Sequence, residues 1–401
     1  MANVRAEVLA LAMFALCACS GLPGASGRAP SSPAATHVAS KTPRPSGPAF
    51  PGQAPGGPAA PAPAPLTCGS RIPAFANLAL VTLPGKIGVS VRDISDLSNP
   101  ISRCLVHGTT ATYPRFMDGT HVSYIVTSPT GNGALYLADL LTRRTKLVRS
   151  WADEGTMYWV YAWSPDAKTL SYMSSNSAGV AWHLLSAAGD VTLSSLGQIP
   201  GRDASPDSDD AMTGFSADGQ YVALENTFTG AGMTAAPFQI VRLSDHKLVY
   251  SRRDGSMATW TGSGAHLYFR TVAGVESWDP KAGVQVVAPG LSWIHPWPSA
   301  DGLRIVYTVA DGTGNHQVGY LRLTDPPMVV FGPFLHPGTA AVFLNSTLVW
   351  YAEEASCAQT QCGIGGPPLT GRTFLDDLVV QTERPSVDIA VFDSWPHVGA
   401  A

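Results

Sequence analysis

The chain has 401 residues, a formal net charge of -4 and only 13% charged residues. Lys and Arg are scattered, with Arg143-Arg144 and Arg252-Arg253 as the doublets. No basic face is therefore available for a polyanion, which argues against nucleic acid as a partner. The hydrophobic content of 45% is ample for a large core.

The N-terminus reads as an export signal. Arg5 supplies a thin positive region, and Val8 to Ala18 is an apolar run of signal-peptide length, too short to span a bilayer. The run ends in Leu16-Cys17-Ala18-Cys19. This resembles a bacterial lipobox, although Cys17 is a less common occupant of its position. The resemblance implies that residues 1–18 are a lipoprotein signal peptide, with Leu16 and Ala18 at the recognition positions. It also implies that the Cys19 thiol carries the diacylglycerol. Acyl chains, at ~0.8 kcal/mol per buried methylene, would hold the protein on a membrane without a transmembrane helix.

From 19 to 66 the chain is almost entirely Pro, Ala, Gly, Ser and Thr. Such a segment has too few large apolar groups to offset the entropy of ordering it. Proline keeps it extended, and at ~3.1 Å per residue it reaches about 145 Å. It is expected to be a stalk carrying a folded head, residues 67–401. A Pro-rich docking peptide is the sharper alternative.

The composition then changes and a repeat begins. Its clearest copy is Tyr161-Ala-Trp163-Ser-Pro165-Asp166, followed after a short turn by the alternating strand Leu170-Ser-Tyr172. The same pattern recurs at Phe215-Ser-Ala-Asp218-Gly219 and at Trp297-Pro-Ser-Ala-Asp301-Gly302. Weaker copies start at Phe116, Trp260 and Phe343, and the weakest at Phe75-Ala-Asn77. Asp-Gly and Asn-rich tips suit tight hairpins because they tolerate positive φ. Each hairpin is followed by a second, such as Ala134–Leu140 with Thr145–Val148, or Phe238–Leu243 with Lys247–Tyr250. Four strands roughly every 45 residues is the arithmetic of a propeller blade. The anchor aromatics Trp163, Phe215, Trp260, Trp297 and Phe343 are expected in the core between blades.

The Trp-Ser-Pro-Asp turn followed by an apolar strand resembles the WD40-like repeat of TolB-type propellers. That resemblance runs from about Cys68 to the C-terminus and implies an all-β fold of seven four-stranded antiparallel blades. Six blades is the alternative, if the Phe75 unit is only a closure strand. The α/β domain that precedes the propeller in TolB has no counterpart here, which puts a Tol-system role in doubt.

Four cysteines lie outside the lipobox. An even number in an exported chain reads as two disulfides, with three formal pairings. Cys357 with Cys362 would be a local bridge, leaving Cys68 with Cys104 to tie the stalk's end to blade one. A metal site built from all four is the alternative.

No nucleophile elbow, His-Glu-x-x-His, phosphate loop or EF-hand occurs. No cofactor is expected. The histidines, His107, His295 and His336 among them, are dispersed. Three loops stand out on the face opposite the Ser-Pro-Asp hairpins. One runs from Glu353 to Thr373 and includes Glu354; one is the acidic connection holding Asp203, Asp207, Asp209 and Asp210; one is the Gly-rich stretch Phe228–Met233. Glu353, Glu354, Asp203 and Asp207 are the ligand-face candidates, and Asp207, Asp209 and Asp210 are a candidate calcium set. Taken together, the sequence suggests a cell-envelope lipoprotein whose propeller binds or scaffolds an envelope protein, a glycan or a small ligand. It would be exported and anchored at the outer face of the cytoplasmic membrane, or in the periplasm or outer membrane. A propeller hydrolase or lyase acting at the ring axis is the alternative.

Overall fold

The computed structural model describes residues 59–69, 77–83, 87–95, 101–107, 111–152, 160–176, 179–197, 213–225, 238–262, 264–310, 316–353, 372–387 and 390–397. They form seven antiparallel sheets and contain no helix. Blades 2 to 7 are each contiguous in sequence. Blade 2 is Ala111–Asp118, His121–Thr127, Gly133–Asp139 and Arg144–Trp151. Blade 3 is Tyr161–Trp163, Leu170–Asn176, Gly179–Ser186 and Gly189–Gly197, and blade 4 is Thr213–Phe215, Tyr221–Leu224, Phe238–Arg242 and Lys247–Arg252. Blade 5 is Ser256–Thr261, His266–Thr271, Gly274–Asp279 and Gly283–Pro289. Blade 6 is Trp293–Pro298, Arg304–Ala310, His316–Arg322 and Met328–Phe331, and blade 7 is Gly338–Phe343, Leu348–Glu353, Thr373–Asp377 and Thr382–Pro385.

Blade 1 is different. Its innermost strand is the C-terminal Ala390–Trp395, which pairs with Leu78–Thr82 and is followed outward by Gly88–Asp93 and Ile101–His107. A fifth strand, Leu66–Cys68, covers its outer edge. The ring is thus closed by the chain's last strand. Leu78 lies opposite Trp395 just as Leu170 lies opposite Trp163, so Trp395 holds the anchor position of blade 1. Phe75, expected there from the sequence, lies outside the described residues. The blade count is seven.

The Ser-x-Asp turns explain why the hairpins form. Ser164 Oγ donates to Asp166 (2.7 Å) and accepts from the Thr169 amide (2.9 Å). Ser216 with Asp218 and Tyr221, and Ser299 with Asp301 and Arg304, repeat that arrangement. The residue after each Asp has positive φ: Gly219 at 66°, Gly302 at 67° and Ala167 at 58°. Glycine adopts that region without a Cβ clash, and Ala167 tolerates it only because the turn's hydrogen bonds hold it there.

Alternation along each strand sends side chains to both neighbouring blades. Trp163 packs with Met117, Ile125, Leu135 and Trp151 of blade 2, and Phe215 packs with Met173, Trp182 and Leu184 of blade 3. Phe343 joins Val306, Val318 and Tyr320 of blade 6. The anchors therefore sit in the inter-blade core, as expected. The disulfide Cys68–Cys104 joins directly opposed residues of the outermost pair in blade 1, which removes those two thiols from any metal site.

Candidate functional site: the axial cavity

The innermost strands run side by side around the axis, each touching the next, and the C-terminal strand touches blade 2 to complete the circle. They enclose a cavity of about 240 Å³ lined by residues from all seven blades. One anchor from each blade reaches it: Phe116, Trp163, Phe215, Trp260, Trp297, Phe343 and Trp395. Their inter-blade faces are packed. Trp297 and Trp395 keep part of their rings exposed, whereas the other five are buried. The lining includes Ser164, Pro165, Ala300, Asn345 and Pro396, which belong to the hairpin turns or follow the closing strand, so the cavity reaches the Ser-x-Asp face.

The wall carries few charged groups, and their carboxylates are engaged. Asp393, on the closing strand, accepts the Phe116 amide (2.8 Å) and the Ser394 amide (2.9 Å), and it pairs with His397 Nε2 at 2.9 Å. Burial pushes its carboxyl up, but the His397 charge and hydrogen bond, Arg115 and the Phe116 amide outweigh this and hold it below the usual carboxylate range. Glu225, at the end of the second strand of blade 4, accepts the Met257 amide (2.5 Å) and the Ala258 amide (3.1 Å) of blade 5. Each acid thus clasps the innermost strand of the following blade. Arg115 donates to the Phe392 carbonyl at 2.6 Å, tying blade 2 to the closing strand a second time. Tyr161 donates to the Tyr113 carbonyl (2.6 Å), and burial raises its phenol far above its ordinary range, so it is a neutral donor. Glu225 and Asp393 each accept two backbone amides, and Asp393 also pairs with His397, so both carboxylates are held in place on the wall.

Of the sequence-derived ligand-face candidates only Glu353 is described, and it does not line the cavity. The strands flanking the three long loops end on the face opposite the Ser-x-Asp turns. Glu353 is described: it forms a two-pronged pair with Arg372 (2.7 and 2.8 Å) and lies 3.7 Å from His336. Arg372 holds its carboxyl below the usual range. Glu354, Asp203, Asp207, Asp209, Asp210, Cys357, Cys362 and the Phe228–Met233 loop fall outside the described residues, as do Cys19 and residues 1–18. Among the described residues, no group of three or more His, Cys, Asp or Glu could hold a metal ion. His107 contacts Thr67, and His336 sits between Glu353 and Glu383, while His397, which sequence reasoning did not single out, borders the cavity. Sequence reasoning also missed Arg115, Glu225, Asp393 and Trp395. A usable signal existed for the last of these, because Trp395-Pro396 repeats the aromatic-then-proline step of Trp297-Pro298.

No family model matches the chain, and no curated protein matches it. Solved structures similar to it include TolB from Acinetobacter baumannii, at 17% identity and a TM-score of 0.43, covering 78% of this chain and 80% of that one. A prolyl endopeptidase is similar at 12% identity and a TM-score of 0.50, covering 78% of this chain and 50% of that one. The periplasmic gluconolactonase of Pseudomonas aeruginosa is similar at 14% identity and a TM-score of 0.48, covering 78% and 95% of the two chains. At such identities the likeness speaks to the fold alone, a propeller of the kind the repeat pattern implies.

Proposed function

We propose that this protein is an exported, lipid-anchored binding module whose axial cavity takes a small ring-bearing ligand, a sugar residue or a compact aromatic molecule. The observation that carries this reading is a cavity of about 240 Å³ lined by an aromatic residue from each blade, with the part-exposed rings of Trp297 and Trp395 on its wall. Aromatic faces stack on apolar ring surfaces, and a few placed polar atoms then fix orientation. Glu225 and Asp393, fixed by backbone amides, and the Asp393–His397 pair supply placed polar groups that would orient such a ligand.

The test is a thermal-shift titration of the full chain with a panel of mono- and oligosaccharides and small aromatic acids. A true ligand at 100 times its Kd stabilises the folded state by about 2.7 kcal/mol. Trp297→Ala and Trp395→Ala, which alter the two part-exposed rings, should abolish that shift. A shift that survives both substitutions contradicts the cavity reading, and turnover of a panel member would make the protein an enzyme. Anchoring through Cys19 has its own check: Cys19→Ser should release the protein from membranes of its native host. Retention of that variant, with release of Cys17→Ser, would name the other cysteine.

A further inference from the structure

Composition assigns Ala59–Pro65 (Ala-Ala-Pro-Ala-Pro-Ala-Pro) to the stalk, yet part of it is buried. Ala60 and Pro61 are half-buried, Ala62 and Pro63 are exposed, and Ala64 is buried. Two of its carbonyls, three residues apart, accept hydrogen bonds from the propeller. The Pro61 carbonyl accepts from the Tyr136 hydroxyl, and the Ala64 carbonyl accepts from the Tyr124 hydroxyl at 3.2 Å. In a polyproline II helix, with three residues per turn and a rise of 3.1 Å, carbonyls three residues apart would lie on one side, about 9 Å apart. Each proline fixes its own φ and keeps the preceding alanine out of the helical region, so the sequence favours that conformation before it docks.

The receiving surface is equally specific. Tyr124 and Tyr136 are directly opposed on neighbouring strands of blade 2, with ring centroids 6.0 Å apart. Ala64 packs in their cluster with Val126, Ala134 and Ala138, and Ala60 adds to it. Beyond the segment, the Pro65 carbonyl accepts the His107 amide at 2.8 Å and the chain becomes the strand Leu66–Cys68. Leu66 is thus part of the propeller's sheet rather than of the stalk.

We propose that this face of blade 2 is a polyproline-binding site, that its ligand class is a Pro/Ala-rich peptide in the polyproline II form, and that Ala59–Pro65 occupies it as a latch. Apposed aromatic rings and two hydroxyl donors that reach carbonyls three residues apart suit a polyproline helix, because that helix leaves its carbonyls without internal partners. The latch fixes the point on the head from which the stalk departs.

The experiment uses the full chain with residues 59–65 replaced by a Gly/Ser sequence of equal length, which vacates the site. The probe is the free peptide Ala-Ala-Pro-Ala-Pro-Ala-Pro at up to millimolar concentration, observed by NMR of labelled tyrosines. The vacated chain should bind it with shifts at Tyr124 and Tyr136, and the unaltered chain should not. Tyr136→Phe in the vacated chain should weaken binding about three- to tenfold, as loss of one hydrogen bond implies. A folded vacated chain that ignores the peptide, or that takes a Gly/Ser peptide equally well, overturns the proposal. If the vacated chain does not fold, deuterium uptake at the His107 amide decides. It should quicken in the full chain carrying Tyr124→Phe and Tyr136→Phe, and an unchanged rate overturns the latch.

Discussion

Asp393 on the cavity wall and Asp376 between blades 6 and 7 are both buried, and they are held in opposite states. Asp393 has two backbone amides and His397 within hydrogen-bond distance, so its charge is favoured in spite of burial. Asp376 lies on the third strand of blade 7, opposite Val349 on one side and Glu383 on the other. Neither of its carboxylate oxygens has a hydrogen-bond partner among the described residues. Burial, then the charges of Glu383 and Asp377, push its carboxyl up to about 6. Donors rather than depth decide whether a buried acid is an anchor or a liability. The axis is the region where the fold supplies donors, and the blade 6–7 interface withholds them.

The severest way to break the comparison is to remove the packing that holds the wall in place. Trp163 is buried against blade 2 and its indole nitrogen donates to Ser123 Oγ at 2.8 Å. Trp163→Ala should cost about 3–5 kcal/mol, read from the midpoint of urea unfolding. A cost within the noise of the method would mean that the blade 2–3 interface repacks freely.

Asp393→Leu removes the acceptor of the Phe116 and Ser394 amides. Each orphaned amide is expected to cost about 1–3 kcal/mol, with the loss concentrated at the seam where the last strand closes the ring. Hydrogen exchange should quicken at Phe116 first. Asp376→Leu at neutral pH should behave in the opposite sense and leave stability unchanged or higher, because it removes a carboxylate that lacks partners. Matching losses from the two substitutions would erase the distinction.

The smallest effect is a pH slope. Asp376 has a folded-state value near 6 against the ordinary 3.8, so the folded chain binds more protons between those values. Its contribution to stability is fully present below 3.8 and is lost as pH rises to about 6. Asp393, depressed in the fold, contributes above 3.8 and loses that contribution as pH falls further. Urea midpoints between pH 4 and 7 should therefore decline less in Asp376→Asn than in the parent chain. Parallel curves would assign the slope to other groups.

Much of the ring was legible in the sequence because each hairpin is encoded locally. Ser164-Pro165-Asp166, Ser216-Ala217-Asp218 and Ser299-Ala300-Asp301 bond within themselves, and an aromatic residue precedes each within two positions. The seventh anchor was misplaced because closure is not local. Trp395 pairs with Leu78, at the other end of the propeller, rather than with a strand that follows it in a hairpin. The cavity was not legible at all. Its wall is assembled from rings tens of residues apart, and each ring taken alone reads as core. Glu225 and Asp393 carry no motif, since their partners are backbone amides of another blade, which any residue type supplies. The docked Ala59–Pro65 was hidden similarly, because Tyr124 and Tyr136 lie far along the chain and composition records only the prolines.

The most direct test of the binding account uses the ten tryptophans as reporters. Incorporation of 5-fluorotryptophan gives each indole its own resonance, assigned by single substitution, and the full chain is then titrated with the sugar and aromatic-acid panel. Trp297 and Trp395, part-exposed on the cavity wall, should shift with saturable dependence on the ligand. Trp182 and Trp350, fully buried outside the cavity, should remain still. Ligands that saturate the protein while leaving Trp297 and Trp395 unmoved would contradict the assignment of the axial cavity as its binding site.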